Sequence, residues 1–165
     1  MALSFVDGRD RFHCLACGYI HYENPVPGVG VLIEHDGQLV VIRRGHEPHT
    51  GEWALPSGFI EADETVEQAA VREAFEETGL DIELIELFGV HSFPEGPPRS
   101  GIIVFYRARP LDIHRMQSGD DASEVQLFRP DELPPLCFRT HREAVDRWLV
   151  THAFETSSRL RPTTD

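Results

Sequence analysis

The chain has 165 residues, 41% hydrophobic and 26% charged, enough for one domain with a real core. Its formal net charge of -13 excludes the basic footprint of a protein that coats a nucleic acid polymer, but not one that handles phosphates through divalent cations. No apolar run reaches membrane-spanning length, the three cysteines (Cys14, Cys17, Cys137) are too few for a disulfide framework, and Met1–Phe12 lacks the basic and apolar regions of a signal peptide, so neither membrane nor nucleic acid is an expected partner and a cytoplasmic location is expected.

Residues 1–25 read as an irregular arm carrying the knuckle-like CLACG, followed by ENPVP, where Pro25 and Pro27 discourage helix. GVGVLI (28–33) and QLVVIRR (38–44), joined by the turn signal HDG, predict a hairpin. After the loop GHEPHTGEW and the extended ALPSGFIEADE, Thr65 and Gln68 form a capping box for a helix from Val66, and Gly79 supplies its left-handed end. IELIELFGVHSF (82–93), GIIVFYRAR (101–109) and EVQLF (124–128) read as strands. Thr140 and Glu143 make a second capping box, before a helix whose buried stripe is Ala144, Val145, Trp148 and Leu149. The main domain is expected over 26–154, with a flexible tail over 155–165. Strands, helix, strands, helix predict an α/β fold with a mixed sheet and helices on both faces. A dinucleotide-binding G-x-G-x-x-G and a phosphate-loop lysine motif are both missing.

The first helix contains VREAFEETGL. Glu73, Glu76 and Glu77 stand three and four apart, on one side of a helix, where like charges repel unless a cation sits among them. A helical wheel puts Val71, Ala74 and Phe75 on the packed side. The small Ala69 and Ala70 share the carboxylate side and would leave room for an ion. Oxygen ligands so placed suit Mg²⁺ or Mn²⁺, which neutralise a diphosphate and acidify bound water.

From Gly58 the chain runs G, five residues, E, seven residues, R-E, two residues, E-E, one residue, G, filled by Gly58, Glu64, Arg72, Glu73, Glu76, Glu77 and Gly79. This resembles the signature of the Nudix hydrolase family. A random start fills seven fixed positions with a probability on the order of 10⁻⁸, so an idle acidic surface is a poor account of the pattern. Ala74, Ser57 and Asp63 depart from the usual residues: a larger aliphatic side chain at the first, glycine at the others. The resemblance implies an α/β/α sandwich with a mixed β-sheet and Mg²⁺-dependent hydrolysis of a nucleoside diphosphate linked to another group, with Mn²⁺ able to substitute. It implies Glu73, Glu76 and Glu77 as metal ligands, the Ser57 carbonyl as a backbone ligand, Glu64 as a supporting group or ligand of a further ion, and Arg72 as the partner of a motif glutamate. The general base would be a box glutamate or Glu124. A homodimer is expected from the same similarity.

Arg43, Arg44, Trp53, Phe93, Arg99 and Phe138 are the candidate substrate contacts, since arginine forks phosphate and aromatic rings stack on bases. Pro94, fifteen residues after Gly79, and DELPPLCFRTHREAVDRW resemble features of ADP-ribose-hydrolysing members. ADP-ribose, cleaved to AMP and ribose 5-phosphate, is therefore the expected substrate, ahead of NADH or an oxidised nucleoside triphosphate; a non-catalytic nucleotide-binding module is a remoter reading. CLACGYIHYENP resembles the second knuckle of a zinc ribbon. Structural Zn²⁺ takes four ligands, and only Cys14 and Cys17 form a knuckle, with His13 and His21, or a second subunit, as further sources. A degenerate ribbon without zinc is the expectation.

Overall fold

The computed structural model describes residues 1–94, 100–119 and 121–159, and side chains up to His152. The amino-terminal segment is not irregular. β1 (Ala2–Val6), β2 (Arg9–His13) and β3 (Ile20–His21) form a three-stranded antiparallel sheet. Asp7 and Gly8, at φ 49° and 78°, make the tight turn between the first two strands, as Asp-Gly does in hairpins whose turn twist matches their strands.

The main sheet is built from β4 (Val26–His35), β5 (Gln38–Arg44), β8 (Ile82–Phe93), β9 (Gly101–Pro110) and β10 (Ala122–Phe128), in the order β10-β5-β4-β9-β8. β4 and β9 run parallel and the other neighbours antiparallel, so the sheet is mixed as expected. Two short strands, β6 (Trp53–Ala54) and β7 (Ser57–Phe59), pair with β5 and β4 respectively. β7 lies against Gly28–Gly30, while β5 pairs with β4 only near the hairpin turn.

Strand alternation sorts the core into two layers. Val29, Val31, Ile33 and Val40 pack with Ala69, Ala70 and Ala74 of α1 (Val66–Thr78). Leu32, Leu39 and Val41 pack with Ala144, Val145 and Trp148 of α2 (Arg139–Arg159) on the opposite face. The α/β/α sandwich follows from these two contacts.

The capping box of Thr65 and Gln68 and the left-handed Gly79 stand as read, but the packed side of α1 does not. Val71 and Phe75 are 39% and 48% exposed, whereas Ala69, Ala70, Ala74, Glu77 and Thr78 are buried. The buried arc is turned from the expected one by roughly 100°, one residue's step around the helix. Ala69 and Ala70 therefore bring the helix close to the sheet and leave no room for an ion beside them. Thr140 is not the cap of α2. The helix begins one residue earlier, its first bond running from the Arg142 N–H to the Phe138 carbonyl, and Glu143 bonds His91 and Arg139 instead. α2 also continues to Arg159, through the start of the expected tail.

Candidate active site

Because α1 is turned inward, two of its three glutamates face the β7 segment. Glu77 is 4% exposed, and its Oε2 accepts the Ser57 N–H at 2.8 Å. The Glu73 carboxylate lies directly over Gly58: a Cβ there would stand 2.1 Å from Glu73 Oε1, so only glycine admits this approach. Glu76 remains exposed at the rim.

Arg72 ties the set together. Its Nη1 donates to Glu73 Oε1 at 2.7 Å and to Glu76 Oε2 at 2.9 Å. Its Nε and Nη2 donate to the two oxygens of Glu64 at 3.0 and 2.6 Å, and Nη2 also reaches the Phe59 carbonyl. Such charge-assisted forks fix direction as well as distance. Glu64 further accepts the Glu61 N–H at 2.9 Å, which holds the loop before the helix in a turn.

These surroundings split the carboxylates electrostatically. The Arg72 hydrogen bonds, then the Glu61 N–H, hold Glu64 down to about 2. Burial pushes Glu73 up, opposed by Arg72. Burial pushes Glu77 up to about 8, with Glu73 and Asp121 adding to the rise and the Ser57 N–H and Arg44 opposing it. A buried carboxylate that resists ionisation this strongly is one that a bound cation would stabilise.

The loop before β10 closes the carboxyl end of α1. The N–H groups of Gln117 and Gly119 donate to the carbonyls of Thr78 and Glu77, and Gly45 N–H donates to the Asp121 carbonyl. A cavity of about 490 Å³ opens there, lined by Phe75, Glu76, Gly79, Gln117, Gly119 and Asp121 among others. Asp121, which the sequence pattern does not single out, lies at the rim of this cavity, near enough for its charge to bear on Glu77. GDDAS reads in the sequence as a polar loop leading to Glu124, with no periodicity to single out Asp121, which stays exposed at the loop and pairs with His46 at 3.3 Å.

Glu124 lies elsewhere. It is paired with Arg43 across the β10–β5 ladder, 3.5 Å from its Nη1, and accepts Gln126 Nε2 at 2.6 Å. Its neighbour Val125 packs into the α1-side layer, so strand alternation turns Glu124 to the other face.

Arg44 is on the carboxylate side. Its guanidinium sits 5.1 Å over the Phe138 ring, its Nε donates to the Pro48 carbonyl, and its charge is felt by Glu77. Arg43 belongs to a separate group, bonded to the Gly51 carbonyl and 5.8 Å from the ring centre of Trp53. Trp53 in turn packs edge-on against Phe128 beside the α2-side core. Phe93, at the far end of β8, covers Gly101 at the opposite edge of the sheet. Arg99 lies outside the described residues.

A second missed residue is His141. It is buried on α2, between Phe105 and Phe138, and its Nδ1 accepts the Leu55 N–H at 3.2 Å. Burial, then the charge of Arg44, holds it neutral, down to about 3. Through this bond α2 fixes the segment between β6 and β7 that leads to Ser57.

At the amino terminus, Cys14 and Cys17 are free thiols, His13 Nδ1 bonds Ser4 Oγ at 2.8 Å, and His21 is exposed. Among the described residues, no three of His, Cys, Asp and Glu are already arranged around one point. In the carboxylate cluster the reason is Arg72, whose guanidinium stands among Glu64, Glu73 and Glu76 while Glu77 turns to Ser57. The donor set is nonetheless all oxygen, clustered and partly desolvated, which fits a hard divalent cation in kind.

A family model described as NUDIX domain matches residues 24–149. The chain is 39% identical over 132 residues to the ADP-ribose pyrophosphatase of Methanocaldococcus jannaschii, covering 79% of this chain and 78% of that protein. It is 32% identical over 131 residues to the NAD-capped RNA hydrolase NudC of Haemophilus influenzae, of which it spans 47%. A crystal structure of a NUDIX hydrolase from Nitrosomonas europaea superposes with a TM-score of 0.85 at 32% identity, covering 93% of this chain and 87% of that one. With the family model matched over residues 24–149 and these similarities running through the sheet and its helices, the chain belongs to the Nudix hydrolase family.

Proposed function

We propose that this chain hydrolyses the pyrophosphate bond of ADP-ribose, releasing AMP and ribose 5-phosphate, with Mg²⁺ bound by the motif carboxylates. The observation that carries it is the gathering of Glu64, Glu73 and Glu76 about Arg72, with Glu73 and Glu77 over the Gly58 and Ser57 backbone. The similarity to an ADP-ribose pyrophosphatase over most of both chains supports the substrate.

Glu73, Glu76, Glu77 and the Ser57 carbonyl would hold the ion, with Glu64 at its margin. A divalent cation so held neutralises the diphosphate and lowers the pKa of bound water. The chain's own part is orientation. Arg72 sets the carboxylates, His141 sets the segment before Ser57, and Arg44 offers a cation on the same side for a phosphate oxygen. Water adds to one phosphorus, the bridging P–O bond breaks, and the proton passes to a carboxylate; the charge of Asp121 on Glu77 supports Asp121, on the adjoining loop, as that acceptor. Mn²⁺ satisfies the same oxygen ligands.

The NudC similarity and the amino-terminal knuckle support a second reading, hydrolysis of NADH or a related dinucleotide. The test is a panel of ADP-ribose, NADH, diadenosine polyphosphates and oxidised dGTP with Mg²⁺, repeated with chelator. AMP formed fastest from ADP-ribose, and lost on chelation, is the expected result. Faster cleavage of NADH selects the second reading, and pyrophosphate released from the triphosphate overturns both.

A further inference from the structure

The loop from β5 to β6 folds back on itself. Gly51 N–H donates to the Arg44 carbonyl and Arg44 N–H to the Glu52 carbonyl, at 2.8 and 2.9 Å, and the Nε groups of Arg43 and Arg44 donate to the Gly51 and Pro48 carbonyls. Its first residues, Gly45 and His46, lie against the loop before β10. Gly45 N–H donates to the Asp121 carbonyl at 2.8 Å, and a Cβ on Gly45 would stand 3.0 Å from that oxygen, so the two backbones touch. On its other side the same loop is seated on α1. A Cβ on Gly119 would stand 1.6 Å from the Glu76 carbonyl oxygen, an approach only glycine admits, and Gly119 N–H donates to the Glu77 carbonyl. Backbone contacts from two directions thus hold the chain around Asp121 at the rim of the cavity beside Glu76. The β10–β5 ladder then carries an extra residue, Ser123, between the pairs Ala122–Arg44 and Glu124–Arg43, and Ser123 Oγ donates to the Arg43 carbonyl. Bulges of this kind end strand pairing and re-aim side chains beside active sites.

Across this junction His46 Nδ1 stands 3.3 Å from Asp121 Oδ1. Both side chains are exposed, and an exposed pair contributes little to stability. With the backbone fixed on both sides, what the contact sets is direction. An ionised carboxylate only accepts hydrogen bonds, so Nδ1 carries the proton and the ring is the donor. We propose that His46 is a positioning residue for the hydrolysis: its Nδ1–H holds one oxygen of the Asp121 carboxylate and leaves the other to take the proton of the attacking water. This rests on the reading of Asp121 as the proton acceptor. Arg44, two residues before His46, is the cation whose charge reaches Glu77, so one short segment at the end of β5 would serve both the phosphate and the acceptor.

The full chain is assayed with ADP-ribose and Mg²⁺ beside His46→Ala and His46→Asn, the second keeping an amide N–H in place of the Nδ1–H. His46→Ala should lower kcat about tenfold, part of the roughly 10²–10⁴-fold that a well-placed base contributes, with KM within about twofold and Mg²⁺ affinity unchanged. His46→Asn should restore most of kcat, and in an Asp121→Asn background His46→Ala should cost nothing further. Long-range ¹H–¹⁵N spectra of the ¹⁵N-labelled chain in mildly alkaline buffer, with His46→Asn to assign the ring, should show the Nδ1-protonated tautomer, a readout that needs no turnover. The Nε2-protonated tautomer overturns the proposal even if ADP-ribose is the substrate. So does an unchanged kcat in His46→Ala, a rise in KM alone, or an equal loss in His46→Ala and His46→Asn. An Nδ1-protonated ring in a chain that cleaves none of the substrate panel leaves the contact standing and overturns the hydrolase reading, and with it the role of His46.

Discussion

Gly58 is the residue at which the demands of the fold and of the chemistry separate. A Cβ at this position would meet the Glu73 carboxylate at 2.1 to 2.3 Å, but what it meets is the far end of a side chain able to rotate away. The chain should therefore tolerate Gly58→Ala with a small loss of stability, while Glu73 swings out and breaks its bond to Arg72. Displacing a group that orients metal ligands commonly costs about 10–100-fold in metal affinity or activity. The expected outcome is a folded variant whose turnover and Mg²⁺ affinity fall by that order. Normal turnover with Gly58→Ala would mean that the close approach has no catalytic purpose. The sequence pattern singles out Gly58 but not its reason: the spacing motif names the position, whereas the contact with Glu73 exists only once β7 is paired with β4.

Among the elements, what was legible was local. The ends of α1 are written in Thr65, Gln68 and Gly79, because caps are satisfied within a few residues. Its packed face was not legible, because hydrophobic patterning weighs Val71 and Phe75 above three alanines and takes glutamates for surface. The amino-terminal hairpin is hidden for a related reason: Asp7-Gly8 is the same signal as Asp36-Gly37, but of its two five-residue strands β2 carries arginine and aspartate instead of a valine run. His141 illustrates a contact between elements that no local rule exposes, since its partner Leu55 is 86 residues away. It also gives α2 a pH-dependent hold on the site. Its pKa drops from an ordinary 6.5 to about 3 on folding, so below pH 6.5 the unfolded chain takes up a proton that the native one refuses. The stability it contributes is present above pH 6.5 and is lost as the pH falls toward 3, by at most ~1.4 kcal/mol per pH unit. His141→Gln keeps an acceptor for the Leu55 N–H but does not titrate. Thermal unfolding of the two proteins between pH 7 and pH 5 should show a steeper acid-side loss in the unaltered chain; parallel curves would mean that His141 is accessible to protons in the native state.

For the whole molecule, the net charge of -13 means that any cation stabilises somewhat by screening, so a site-specific effect has to be separated from a general one. The separation lies in Glu77. It is nearly buried, its ionisation is opposed by burial and by Glu73, and a divalent ion among the motif carboxylates would reverse that penalty. An ion present at a hundred times its Kd stabilises by ~2.7 kcal/mol, which for a domain of this size raises Tm by roughly 5–10 °C. Mg²⁺ or Mn²⁺ should produce that rise, chelator should remove it together with turnover, and NaCl at matched ionic strength should give only a small shift. Glu77→Gln keeps the size of the side chain and removes the charge that burial disfavours, so the variant should fold at least as stably without metal, lose the divalent-specific rise, and turn over ADP-ribose more than about a hundredfold more slowly. If the divalent ion raises the Tm of Glu77→Gln as much as that of the unaltered chain, the ion is screening the acidic surface, and the assignment of the buried carboxylates as its ligands fails.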